Sequence, residues 1–216
     1  MKKSKIKDFD KNKNKKKEIK NPILKFLNFV WNGESFLSWI TFILLAFIII
    51  KFVLFPLMSF ATGTPLPLVI VESCSMYHGE NFDNWWENNR AWYEENNISK
   101  EQFENFPLKN GFQKGDIFLV LGEEEPEVGE VIIFFSGKAQ RPIIHRVIDL
   151  KPTETKGDNN DKQFTKSNNP EEIDETLIVN NQLLGRATGI RIPYAGWAKL
   201  IFFEPLRSES ERGFCK

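Results

Sequence analysis

The 216-residue sequence has few residues that bind metals or form cross-links: it contains only two histidines and two cysteines. His78 and His145 lie far apart, and no Cys/His cluster has metal-ligand spacing, so we expect neither a metal nor another cofactor. Cys74 lies between two serines and Cys215 is the penultimate residue, so we expect no structural disulfide. The sequence has no internal repeat, and its length suits one domain with a tail.

The chain also lacks net charge, but its charges are unevenly distributed. Residues 1–34 hold eleven lysines against four acidic residues, and the remainder carries the balancing negative charge. A Lys/Asn-rich segment with few aromatics is typical of a disordered arm. Such an arm can bind nucleic acid non-specifically, but its position directly before an apolar run favours the cytoplasmic flank of a membrane helix. We therefore expect no nucleic-acid partner.

The one long apolar run, Phe36 to Phe55, has the length of a membrane-spanning helix, and Lys51 is its only charged residue. A cleavable signal peptide is the alternative, but its apolar region would be shorter and would end in small residues. We predict an uncleaved anchor over residues 35–58. The lysines before it keep the N-terminus in the cytoplasm, so the rest of the chain is expected to be extracytoplasmic at the cell membrane.

Beyond the anchor, residues 59–206 are predicted to form a mainly β domain, followed by a tail over 207–216. Short β-branched and aromatic runs separated by turn residues indicate strands, the first of which leads into Ser73. Residues 77–113 form a tryptophan-rich insert, and Ser99 to Gln102 is a helix-start signature, so we predict one or two short helices there. Residues 151–176 are mostly polar and are predicted to form a long surface loop.

Three short segments in the predicted β domain carry residues suited to hydrolysis. Ser75 ends the segment Ser73-Cys74-Ser75 and needs a base to become a nucleophile. His145, in an apolar strand, can serve as that base. Asp158, in a Gly-Asp-Asn-Asn turn, can orient the histidine. Taken singly, each has a structural interpretation: a turn serine, a buried core histidine and a turn aspartate.

As an ordered set, these segments resemble type I signal peptidases, in particular the archaeal and endoplasmic-reticulum branch that uses histidine as the base. The resemblance rests on Ser-x-Ser-Met, Gly-Asp-Ile, His-Arg-Val-Ile, Lys-Gly-Asp-Asn-Asn and a closing Pro-Tyr-x-Gly, and it spans about residues 36–203. It implies Ser75 as nucleophile, His145 as base and Asp158 as the carboxylate. Ser73 and Ser75 would form the oxyanion hole.

The sequence departs from the family pattern in the second acidic position, where Phe164 stands six residues after Asp158. Asp161 and Asp174 are therefore alternative partners for His145. Cys74 replaces a small residue between the serines and is an alternative nucleophile, although a period-two strand would point its side chain away from Ser73 and Ser75.

The resemblance implies a membrane-bound serine endopeptidase that removes signal peptides from secreted and membrane preproteins, cutting after small residues. Its expected partners are preprotein signal peptides and the lipid bilayer, with the protein translocation channel as a candidate partner. Two other functions stay open: a membrane-tethered β domain that binds a partner through its Trp-rich insert without catalysis, and a Ser/His protease that cleaves a regulator or itself.

Overall fold

The computed structural model describes residues 21–216 except Glu80 and Glu124, so the first twenty residues of the predicted disordered arm lie outside the described part. The chain divides into an N-terminal unit that ends at Leu54 and a second unit, Phe55–Lys216. Each unit is held together by its own contacts.

The described part of the N-terminal unit contains two α-helices, of which the first lies inside the predicted arm. Helix α1 (Pro22–Asn32) begins where the lysines become sparse: the Asn21 side chain accepts a hydrogen bond from the Ile23 N–H at 2.9 Å, and Pro22 occupies the first turn. Helix α2 (Phe36–Ile49) packs on α1 through Ser38, whose hydroxyl donates to the Phe29 carbonyl at 2.6 Å. The arm therefore becomes helical before the apolar run begins.

The predicted apolar helix is present and is longer than expected. It continues from α2 through a π-helical segment (Ile50–Leu54) into α3 (Phe55–Thr62). Among the described residues, Phe36–Thr62 is the one helix long and apolar enough to cross a membrane, judged by length and composition.

The second unit is built on one six-stranded antiparallel sheet, which confirms the predicted mainly β fold. Its strands lie in the order β1-β2-β6-β3-β4-β5, and every neighbouring pair is antiparallel. Their bounds are Leu68–Ile70 (β1), Ile117–Leu121 (β2), Val131–Phe134 (β3), Ile143–Leu150 (β4), Thr153–Lys156 (β5) and Leu183–Ile192 (β6). Strand β1 ends before Ser73, so the serines lie in a turn and not in the strand that the sequence predicted.

The insert forms two helices, α4 (Phe82–Glu95) and α5 (Lys100–Glu104), as predicted. The capping box of α5 is also confirmed, because Ser99 accepts from the Gln102 N–H while the Gln102 side chain accepts from the Ser99 N–H. Four buried aromatic residues of the insert pack together with Ile148 of β4, namely Trp85, Trp86, Tyr93 and Phe103. The insert thus has an aromatic core of its own against the sheet.

The predicted surface loop and the predicted C-terminal tail both form contacts with the rest of the fold. Within residues 151–176, Thr153–Lys156 forms β5, and the Glu175 carbonyl accepts from the Thr155 N–H at 2.8 Å, so the return segment lies beside that strand. Near the C-terminus, a short helix α6 (Trp197–Leu200) precedes the predicted tail, in which Arg207 forms an ion pair with Glu72 at 2.8 Å. Polar composition hid β5, because its buried polar side chains, Thr155 and Lys156, are paired within the protein.

Candidate active site

Ser75 lies in a tight turn a few residues after β1 ends. The Tyr77 N–H donates to the Cys74 carbonyl at 3.1 Å and closes the turn, while the Met76 side chain is buried in the core beneath it. The hydroxyl oxygens of Ser73 and Ser75 are 3.1 Å apart, so both face the same side. The turn therefore presents the two serine hydroxyls together.

His145 reaches this turn from the middle of β4. Its Nε2 lies 2.8 Å from the Ser75 hydroxyl oxygen, which is hydrogen-bond distance for a base that accepts the serine proton. The ring is buried, and its Nδ1 contacts the carboxylate of Glu175. With the carboxylate at Nδ1, the neutral ring carries its proton there and leaves Nε2 free to accept.

Glu175 is fully buried, and its two carboxylate oxygens have separate partners. Oε2 accepts from the Phe164 N–H at 2.7 Å, and Oε1, which contacts His145, lies 3.3 Å from the Thr155 hydroxyl. The Glu175 N–H also donates to the Phe164 carbonyl at 2.9 Å. These contacts fix the carboxylate behind the imidazole, in the position that orients the base of a catalytic triad.

Asp158, the carboxylate chosen from the sequence, lies in a different buried cluster. It accepts hydrogen bonds from Arg146 Nη2 at 2.7 Å, His78 Nε2 at 2.8 Å and the Tyr93 hydroxyl at 3.0 Å. Burial opposes its ionisation, but the positive charge of Arg146 and the hydrogen bond of His78 outweigh that effect and hold the pKa of Asp158 well below its usual range. Asp158 is therefore an ionised anchor for Arg146, and the structure gives the position behind His145 to Glu175.

The two alternative aspartates do not take that position either. Asp161 is exposed, and Asp174 accepts from the N–H and the hydroxyl of Thr176, with Lys166 nearby at 3.8 Å. Sequence reasoning missed Glu175 because only aspartates were considered. No local pattern marks Glu175, because its burial behind His145 depends on the return of the chain beside β5.

The prediction of no structural disulfide is wrong, because Cys74 and Cys215 are bonded to each other. The C-terminal segment folds back over α6, where the rings of Phe214 and Trp197 lie 4.5 Å apart, and this brings Cys215 to the serine turn. The disulfide also removes the thiol that made Cys74 an alternative nucleophile.

Two further expectations concern ligands. Within the described residues, no group of three or more His, Cys, Asp or Glu side chains is arranged to hold a metal ion. Of the three tryptophans of the insert, Trp85 and Trp86 are buried and Trp92 is partly buried, all within the aromatic cluster of the insert. The cluster with the clearest chemistry among the described residues is thus Ser75–His145–Glu175.

Comparison with known proteins gives one group of relatives. No protein-family model matches the chain. It is 34% identical over 104 residues to the signal peptidase complex catalytic subunit SEC11C of Homo sapiens, Mus musculus and Canis lupus familiaris. The match covers 44% of this chain and 52% of each relative, so the chain spans about half the length of the curated relatives it matches. Over that segment, the resemblance to the endoplasmic-reticulum branch of type I signal peptidases is confirmed.

Proposed function

We propose that this protein is a membrane-anchored serine endopeptidase that removes signal peptides from preproteins, with Ser75 as nucleophile, His145 as general base and Glu175 as the orienting carboxylate. The observation that carries the proposal is the 2.8 Å contact between the Ser75 hydroxyl and His145 Nε2, with Glu175 at the other ring nitrogen. The similarity to signal peptidase catalytic subunits supports the substrate class.

The first half of the reaction forms an acyl-enzyme. As the Ser75 oxygen attacks the scissile carbonyl carbon, its proton moves to His145 Nε2. The resulting imidazolium is stabilised by the Glu175 carboxylate at Nδ1. His145 then donates the proton from Nε2 to the leaving amine, and the peptide bond breaks.

The second half releases the acyl group by the same route in reverse. A water molecule gives a proton to His145 and attacks the ester, and the proton returns to Ser75. In both halves, negative charge develops on the carbonyl oxygen, which needs hydrogen-bond donors close to the nucleophile. The Ser73 hydroxyl, 3.1 Å from the Ser75 oxygen, and the Ser75 N–H are the donors we assign to this oxyanion hole.

Anchoring by Phe36–Thr62 supports this substrate class physically. An enzyme and a precursor confined to one membrane face meet without a tight binding pocket, since the anchor provides proximity. The lysines before the helix favour an extracytoplasmic position for the catalytic unit. In sealed vesicles with the cytoplasmic side inside, added protease should therefore cut the C-terminal unit. Its protection would contradict this orientation.

Cleavage of a purified model preprotein in detergent tests the proposal. The wild type should release the signal peptide, whereas Ser75→Ala should lose turnover, because the hydroxyl that attacks is gone. Ser167→Ala, in an exposed turn of the 157–175 segment, is the matched control and should keep full turnover. Equal cleavage by wild type and Ser75→Ala would overturn the nucleophile assignment, and a wild type that cleaves no precursor would overturn the function.

A further inference from the structure

The Trp-rich insert reaches the candidate active site through two buried side chains. His78, at its start, and Tyr93, in α4, both donate hydrogen bonds to Asp158, at 2.8 and 3.0 Å. Burial, together with the negative charge of Asp158, raises the pKa of Tyr93 well above its ordinary value of 10.0, so its hydroxyl keeps the proton it donates. The insert thus supplies two of the donors that hold this carboxylate.

His78 is itself held firmly. Its ring stacks on Trp85 with centroids 3.7 Å apart and planes 3° from parallel. On another side, a Cβ added at Gly111 would lie 2.5 Å from the His78 ring, so the glycine allows the chain to approach closely. Only 4% of His78 is exposed, which excludes direct contact between this ring and a peptide substrate.

The backbone around Asp158 touches both the nucleophile and the base. The Asn159 N–H donates to the Ser75 carbonyl at 2.7 Å, and the Asn159 side chain donates to the Cys74 carbonyl at 3.2 Å. On the other side, a Cβ at Gly157 would lie 2.8 Å from His145 Nε2, so this backbone runs directly against the imidazole. A shift of the segment 157–159 would therefore change how the Ser75 turn sits against His145.

Arg146 contacts both oxygens of this carboxylate, with Nε 2.9 Å from Oδ1 and Nη2 2.7 Å from Oδ2, and the insert residues add to this bidentate pair. Its guanidinium neutralises the Asp158 charge and also donates to the carbonyls of Pro107 and Gly129, both at 2.7 Å. His78 and Tyr93 approach from the insert and donate to different oxygens, Oδ2 and Oδ1 respectively. Together the three donors determine where the carboxylate lies and how it is turned.

We propose that His78 is a positioning residue for the hydrolysis proposed above, assisted by Tyr93: by holding Asp158, the insert sets the segment 157–159 and thereby the distance between Ser75 and His145. The inference rests on the proposed function for its effect on rate. Its structural part, that the insert holds the segment, stands on contacts independent of catalysis.

Four variants test the proposal. His78→Leu removes the donor, and since a misplacement of about 1 Å can cost on the order of 100-fold in rate, kcat should fall about 10- to 100-fold while KM stays within about twofold. His78→Gln places an amide N–H near the lost Nε2 and should restore most of kcat. Tyr93→Phe keeps the ring and should lower kcat by about 3- to 10-fold. The packing control is Trp86→Phe, which loosens the same aromatic cluster without a hydrogen bond to Asp158.

Amide hydrogen exchange gives a readout independent of activity. In His78→Leu, exchange should accelerate in the peptides that contain residues 73–77 and 157–160, whereas in Trp86→Phe it should not. The inference would be overturned if a folded His78→Leu or Tyr93→Phe kept wild-type kcat and exchange. It would also be overturned if His78→Gln were as impaired as His78→Leu, or if Trp86→Phe gave the same loss.

These outcomes separate the two proposals. A wild type without activity counts against the proposed function, while faster exchange in His78→Leu would still support the positioning role. An active wild type with unaffected His78 and Tyr93 variants counts against the positioning role alone.

Discussion

The substitution Glu175→Gln tests the carboxylate that the structure places behind His145. The new amide has one oxygen and one NH2 group, but the two carboxylate oxygens now accept from His145 and from the Phe164 N–H. If the NH2 faces His145, the ring must carry its proton on Nε2 and can no longer accept from Ser75. If it faces Phe164, two buried donors meet, which costs about 1–3 kcal/mol.

The effect on turnover should be large. In the serine-protease triad, replacing the aspartate by asparagine lowers kcat about 10⁴-fold because the histidine takes the wrong tautomer. A loss of that size corresponds to about 5 kcal/mol of transition-state stabilisation. Glu175→Asp keeps the charge but withdraws it by one methylene, so an intermediate loss of about 10- to 100-fold is expected.

Single-turnover cleavage of a preprotein in detergent measures these effects, with circular dichroism to show that each variant is folded. Asp174→Asn is the matched control, since the neighbouring carboxylate binds Thr176 instead, and its rate should change by less than about threefold. A folded Glu175→Gln that keeps a tenth or more of wild-type activity would refute the triad with Glu175. A severe loss in Asp174→Asn would move the role to that residue.

The remaining predictions concern stability. Asp158→Asn leaves the Arg146 charge buried without its partner and should lower the free energy of unfolding by about 3–5 kcal/mol, measured by urea unfolding. Because the pKa of Asp158 is lowered on folding, its ionised carboxylate stabilises the folded protein above the ordinary pKa of 3.8, and this stabilisation is lost as the pH falls below that value. The difference in the free energy of unfolding between Asp158→Asn and the wild type should therefore shrink in acid. Cys215→Ser removes a cross-link between residues 141 apart in sequence and should lower the free energy of unfolding by about 2–5 kcal/mol. A thiol reductant should correspondingly lower the Tm of the wild type but not that of the variant. Burial lowers the pKa of Lys156 from 10.5 to about 8. Below pH 8 this side chain is therefore charged in both the folded and the unfolded protein, whereas above pH 8 the unfolded protein binds more protons. The free energy of unfolding of the wild type should therefore rise by at most about 3 kcal/mol between pH 8 and 10.5, and Lys156→Met should not show this rise. An unchanged free energy of unfolding in Asp158→Asn or Cys215→Ser would contradict the ion pair or the disulfide, respectively. The same pH dependence in Lys156→Met and the wild type would contradict the buried lysine.

The sequence predicted those parts of the fold that follow from local pattern. Alternating apolar residues predicted most strands, the capping signature predicted α5, and the apolar run predicted the long helix. Ser75 and His145 were predicted from the ordered motifs that resemble type I signal peptidases, and the structure brings them to hydrogen-bond distance.

The remaining features depend on contacts distant in sequence. Glu175 reaches His145 only because residues after β5 return beside that strand, and a polar composition does not reveal such a return. Asp158 was selected by its turn motif, but its partners come from the insert and from β4. The disulfide depends on the path of the C-terminal segment over α6, which no local pattern specifies.

The mass of the products from one model preprotein tests the central claim most directly. Wild-type enzyme in detergent should give two fragments, the signal peptide and the mature protein, separated at a single bond after a small residue, and Ser75→Ala should leave the precursor intact. An intact precursor with both enzymes, or the same fragments with both, would contradict the account.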